Sequence, residues 1–138
     1  MSKIHHGQCA CGAVRIRASG NSVAELHCQC RQCQLRSGTG HSSFMVFAGP
    51  GAVKVDGKTT SWSVTGDSGI EKHQAFCPEC GTPTHVTFPA NPGITAINPV
   101  LLDERDQFAP RIVTYASRAL AWDVLDPALT RFDEMPTG

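Results

Sequence analysis

Seven cysteines are the residues of this chain most suited to chemistry, and all of them fall into three tight clusters. These are Cys9-Ala10-Cys11, Cys28-Gln29-Cys30-Arg31-Gln32-Cys33 and Cys77-Pro78-Glu79-Cys80. Such spacing suits a tetrahedral zinc ion, whose sulfurs lie about 2.3 Å from the metal and therefore within roughly 4 Å of one another. A C-x-x-C turn brings two sulfurs to one metal while its backbone amides donate to the thiolates. Cys77 to Cys80 is such a turn, with Gly81 directly behind it to take a positive φ. In Cys9-Ala10-Cys11-Gly12 an extended backbone would point both sulfurs to one face, again ahead of a glycine.

Counting ligands separates two kinds of site. Cys9, Cys11, Cys77 and Cys80 would close a tetrahedron and leave no open position, which is a structural zinc. Cys28, Cys30 and Cys33 would leave a fourth position for water or substrate, the pattern of a catalytic zinc. Spacing alone also permits Cys30 and Cys33 to join Cys77 and Cys80 in a ribbon-like site, leaving Cys9, Cys11 and Cys28. His27, His41, His73 and His85 are each candidates to close the three-cysteine site. A redox C-x-x-C of the thioredoxin type would need a βαβ setting, and none surrounds these pairs. A disulfide framework would strand one thiol of an odd seven.

The elements that position these clusters must be short. Thirteen Gly and nine Pro in 138 residues interrupt the chain about every sixth position. Long helices do not survive that density, whereas short strands joined by turns do. Period-two alternation and β-branched content predict strands at 13–18, 23–28, 44–47, 52–56, 60–64, 70–76, 84–88, 94–97 and 111–115. Residues 30–37 read as a helical turn stopped by Gly38. Residues 116–125 carry a weaker helical periodicity through Leu120, Val124 and Leu125. The expected fold is a mostly β, antiparallel single domain.

Composition narrows the function classes. At 14.8 kDa and 41% hydrophobic residues the chain suits one domain with one core. Lys+Arg and Asp+Glu balance at 12 each, so the basic excess of a nucleic-acid binder is missing. No apolar run approaches the roughly 18 residues of a membrane span. The segment from Met1 to His6 lacks the apolar stretch of a secretory signal. The expectation is a cytoplasmic protein in a reducing compartment, with thiols free for metal.

Several motifs resemble one family. Gly7-Gln8-Cys9-Ala10-Cys11-Gly12-Ala13-Val14 is similar to the opening motif of the glutathione-dependent formaldehyde-activating enzymes, a group that includes centromere protein V-like chains. Cys28-x-Cys30-x-x-Cys33 ahead of Ser37-Gly38 resembles the second motif, and Phe76-Cys77-Pro78-Glu79-Cys80-Gly81-Thr82 the third. Pro110-Arg111-Ile112-Val113, Ser117-Arg118-Ala119, Trp122-Asp123 and Leu129 to Pro136 read like the closing segment. The resemblance spans residues 4–136 as one domain. It implies a zinc-containing, mostly β fold shared with a Rab-type exchange factor and with methionine sulfoxide reductase B. It also implies a structural zinc on Cys9, Cys11, Cys77 and Cys80 and a catalytic zinc on Cys28, Cys30 and Cys33. The implied activity is that of an S-(hydroxymethyl)glutathione synthase, a carbon–sulfur lyase in reverse, acting on a small thiol such as glutathione and a small aldehyde.

Three positions depart from the family pattern. Gln29 stands where His is frequent, Leu35 where a basic residue is frequent, and Leu120-Ala121 where Ala-Pro is frequent. Arg31 and Arg36 flank the three-cysteine site and are the candidates for binding an anionic thiol, with Lys72 and Arg111 further away. The alternative function is a zinc-stabilised, non-catalytic protein-binding module.

Overall fold

A computed structural model describes residues 3–66 and 68–136. In chain order the elements are β1 (Ile4–Gln8), β2 (Arg15–Ser19), β3 (Ala24–Cys28), α1 (Arg31–Ser37), β4 (Ser42–Ala48) and β5 (Val53–Asp56). They continue with β6 (Thr60–Thr65), β7 (Glu71–Phe76), β8 (Pro83–Thr87), β9 (Ile94–Ile97), β10 (Ile112–Thr114) and β11 (Thr130–Arg131). Short 3-10 turns occupy Pro99–Leu101, Arg105–Gln107 and Ala116–Arg118. Each of the nine strands expected from the sequence is present, with ends displaced by no more than two residues.

Two sheets result. β1, β2 and β5 form a small antiparallel sheet, and the other strands form a larger one in the order β11-β10-β3-β4-β9-β8-β7-β6. The large sheet is mixed where antiparallel pairing alone was expected. β10 runs parallel to β3, with Ile112 beside Leu26, and parallel to β11. The reason is connectivity: β10 arrives after the 3-10 turns of 99–107, and a long connection permits the parallel direction that a hairpin forbids.

Strand parity explains the packing. In β4, Met45 and Phe47 turn toward the small sheet and pack with Ile16, Ala18, Ile97, Leu101 and Leu102. Phe44 and Val46 turn the other way, joining Val86, Ala96, Leu26 and the three thiols Cys28, Cys30 and Cys33. The sheet thus divides the molecule. One face packs against the small sheet, and the other forms a second buried apolar cluster that includes the three sulfurs.

Helix α1 is built as the sequence suggested. Cys30 caps it by accepting the Cys33 N–H at 3.4 Å, and Gly38 ends it at φ 77° with its N–H on Gln34 O at 2.9 Å. Residues 116–125 do not form the expected helix. Tyr115 enters at φ 56°, and one 3-10 turn follows before the chain opens into turns. The periodic apolar positions found no core to face: Val124 is 85% exposed. β1 and β11 were not foreseen, because Ile4-His5-His6-Gly7-Gln8 lacks apolar alternation and β11 is two residues long.

Phe47 is 1% exposed at the junction of the two sheets. Phe47→Ala should lower unfolding free energy by about 3–5 kcal/mol, read from the denaturant midpoint at constant metal.

Candidate metal centres

The first centre is assembled by two hairpin turns. The turn after β1 carries Cys9 and Cys11, and the turn after β7 carries Cys77 and Cys80. Cys9 N–H donates to Val14 O at 3.0 Å and Gly12 N–H to Cys9 O at 3.1 Å. Cys77 N–H donates to Thr82 O at 3.0 Å and Gly81 N–H to Cys77 O at 2.8 Å. Gly12 and Gly81 lie at φ 80° and 77°, a left-handed conformation that resists a β-carbon. The Cys9 segment is therefore a turn, not the extended strand expected from its alternation.

All four sulfurs lie within 4.8 Å of one another, with Cys11 Sγ 3.7 Å from both Cys9 Sγ and Cys77 Sγ. Backbone amides already point at them: Val14 N–H reaches Cys9 Sγ at 3.3 Å and Glu79 N–H reaches Cys77 Sγ at 3.4 Å. Thr82 joins the two turns. Its hydroxyl accepts the Ala10 N–H at 3.2 Å and lies 3.1 Å from Cys80 Sγ. The Thr82 hydroxyl, and then its backbone, hold the Cys80 thiol down to about 5.

The second centre is local in sequence. Cys28 ends β3, Cys30 caps α1 and Cys33 sits in its first turn, so one strand-to-helix junction gathers three sulfurs. They too lie within 4.8 Å of one another, and all three are buried. Hydrogen bonding from Cys28 and Cys33 draws the Cys30 thiol well below its usual range, while Cys28, Cys30 and burial push Cys33 up. The donor sets of both centres suit a soft or borderline divalent metal such as zinc.

The partition left open by spacing is thus resolved in space: Cys9 and Cys11 meet Cys77 and Cys80, and Cys28 meets Cys30 and Cys33. Among the described residues, none of the four candidate histidines joins the second group. His27 Nδ1 lies 2.8 Å from Ser43 Oγ, and its ring packs on that of His41 at 4.6 Å. Burial, then His41, hold His27 down to about 4. His41 Nδ1 is 3.0 Å from Asp123 Oδ1, His73 Nε2 is 2.8 Å from Glu71, and His85 Nδ1 is 2.9 Å from Thr84 Oγ1.

Two depressions meet at the three-cysteine centre. A polar pocket of about 260 Å³ is lined by Cys30, Arg31, Gln32, Lys72, Tyr115 and Arg118, with Val64 to Gly66 at its edge. A larger apolar groove of about 330 Å³ includes Cys28, Cys33 and, again, Lys72. Arg31 is exposed and lines the polar pocket. Arg36 lines neither: its guanidinium stacks on Phe44 at 5.0 Å, with Nε and Nη2 buried and unpartnered. Burial lowers its pKa while Cys33 opposes the shift. Arg111 is exposed immediately ahead of β10.

Sequence reasoning treated Lys72 as distant and missed Tyr115, Thr82 and Asp123. Asp123 accepts Gln29 Nε2 at 3.0 Å beside the cysteines and pairs with His41, so Gln29 fills its family-variant position with an anchor to the closing segment. Gly40 makes room for it, since a β-carbon there would collide with the Asp123 side chain.

Metal uptake must expel the thiol protons that the second cluster retains, Cys33 above all. A thiol whose pKa is raised keeps its proton at neutral pH, so zinc affinity should rise with pH and fall in acid. Titration of the metal-free chain at pH 6 and pH 8 should show net proton release at both, with tighter binding at pH 8. Four thiolates on zinc contribute on the order of 10 kcal/mol, the scale of a domain's whole stability. Cys77→Ser should therefore be insoluble or unfolded, and a soluble, cooperatively melting variant would remove the stabilising role of that centre.

The family described as "Glutathione-dependent formaldehyde-activating enzyme" matches residues 4–118. No curated protein matches the chain. A crystal structure of a Rhodobacter sphaeroides protein, a structural-genomics target, superposes with a TM-score of 0.55 at 22% identity, over 80% of this chain and 97% of that one. That likeness speaks to the fold. The match over residues 4–118 shows that the chain belongs to the glutathione-dependent formaldehyde-activating enzyme family.

Proposed function

We propose that the chain is a zinc-dependent carbon–sulfur lyase and synthase, joining a small thiol such as glutathione to a small aldehyde and reversing that addition. Family membership supports a function related to formaldehyde and glutathione. The observation that carries the finer reading is the three-cysteine centre at the wall of two depressions. It offers three soft donors, one fewer than fill a tetrahedral zinc site.

In this reading Cys28, Cys30 and Cys33 hold the catalytic metal, and Cys9, Cys11, Cys77 and Cys80 hold a structural one. Zinc at the three-cysteine centre would supply a Lewis acid and lower the pKa of an incoming thiol. The chain's own residues do the positioning. Arg31, Lys72 and Arg118 surround Cys30 in the polar pocket, where they suit the carboxylates of an anionic thiol. Arg36, packed under Phe44, acts on the centre as a nearby positive charge facing the Cys33 thiol. The second depression leaves space for the aldehyde.

The chemistry balances without a redox partner. The thiol loses its proton, sulfur adds to the carbonyl carbon, and the carbonyl π pair moves to oxygen, which takes a proton. Reversal breaks the same C–S bond. Residues 4–136 act as one unit, since the segment beyond 118 returns to pair with β10 and to place Asp123 on Gln29. Seven free thiols suit a reducing compartment, and we take the cytoplasm as the place of action.

Cys30→Ser should reduce zinc from two per chain to one, because two thiolates hold the metal poorly. It should keep most of the thermal stability, since the centre closes only a short loop. It should also abolish the acceleration of glutathione–formaldehyde exchange seen by NMR. If two-zinc wild type and Cys30→Ser both leave the spontaneous rate unchanged, the enzymatic reading falls and a non-catalytic zinc-stabilised binding module replaces it.

A further inference from the structure

The apolar groove has a composition that formaldehyde does not need. Its walls come mainly from even-numbered residues of six neighbouring strands, β10-β3-β4-β9-β8-β7, which is the period-two face turned away from the small sheet. Leu26, Phe44, Val46, Val86, Ala96 and Ile112 are representative, and the closing segment contributes Met135. Because six adjacent strands line one cavity, the sheet curls around this face. At about 330 Å³ it has the size of a small-molecule site. An apolar cavity of about 150 Å³ already holds a benzene ring.

The groove also has a direction. Cys28 and Cys33 stand in its wall, Cys30 stands in the polar pocket, and Lys72 lines both. The three-cysteine centre is therefore the partition between a cationic half-site and an apolar one. A ligand spanning that partition would carry charge on one side of its reacting atoms and hydrocarbon on the other. A one-carbon aldehyde would leave the apolar half empty.

We propose that the groove holds the apolar substituent of a larger aldehyde, alkyl or aryl, whose carbonyl carbon reacts at the three-cysteine centre while the thiol lies in the polar pocket. The inference rests on the thiol–aldehyde reading and specifies its electrophile. The product is a 1-hydroxyalkyl thioether formed by the same redox-neutral addition, in which sulfur bonds to the carbonyl carbon and the oxygen takes up a proton.

A homologous series tests it. Zinc-loaded full chain is mixed with glutathione and linear aldehydes from propanal to octanal, whose carbonyls have similar intrinsic reactivity, and exchange is followed by NMR. Burial of each methylene contributes about 0.8 kcal/mol, so kcat/KM should rise about fourfold per carbon until the groove is full. In Ile70→Asp, which places a charge at the half-exposed rim, the octanal-to-propanal ratio should fall toward one. Independently of turnover, unreactive 1-octanol should shift the amides of Val46, Val86 and Ala96 saturably in wild type. Turnover that is flat across the series, absence of those shifts, or a dimer in solution that buries these residues would overturn the inference while leaving the thiol–aldehyde reading standing. Octanol binding without turnover of any aldehyde would overturn both.

Discussion

The architecture depends on bringing four sulfurs from two distant turns to one point. Cys11 and Cys77 are 66 residues apart, yet their sulfurs lie at 3.7 Å. One turn joins β1 to β2 in the small sheet, and the other joins β7 to β8 in the large one. A metal there would tie the two layers together near Val14, which is fully buried beside Cys9 and Cys77. Without a cation, thiolates crowded together repel and must keep protons, so the same contact that fastens the layers favours a divalent ion. For a chain of this size such a fastening would be a large share of the stability.

The second cluster obeys a different logic. Its three cysteines come from one junction of strand and helix, so little chain is restrained by bringing them together. What matters is where the junction lies. Strand parity carries Cys28 to the apolar side of the large sheet, and the first turn of α1 swings Cys33 beside it while Cys30 faces the cationic pocket. The Asp123 contacts with Gln29 and His41 then clamp the closing segment over this junction. The two centres thus differ in how far apart in sequence their sulfurs lie, 66 residues between Cys11 and Cys77 in the first and five between Cys28 and Cys33 in the second.

Much of this was legible beforehand, for identifiable reasons. Strands such as 94–97 declare themselves through β-branched residues between turn signals, and Gly38 announces the end of α1. Cysteine spacing announced both clusters, although only space could choose which pairs meet. The segment 116–125 misled because its apolar residues repeat with a helical period, yet Leu120 and Leu125 are only half-buried and Val124 is exposed, a fact that only tertiary packing decides. Lys72 was expected further away because it lies 42 positions beyond Cys30, yet β7 brings it to the pocket that Cys30 lines. Asp123 was hidden in a motif that had looked like a mere family signature. Side-chain pairing over 94 residues leaves no mark in local pattern.

The central claim is that one thiol centre is closed and the other open to ligand. Cobalt(II) substituted for zinc makes this directly visible, because its absorption reports the ligands around each ion. The account predicts two cobalt ions per chain, with one set of bands unchanged by added glutathione and the other shifting saturably. Two ions that both ignore the thiol, or a single ion per chain with every thiol present, would contradict it.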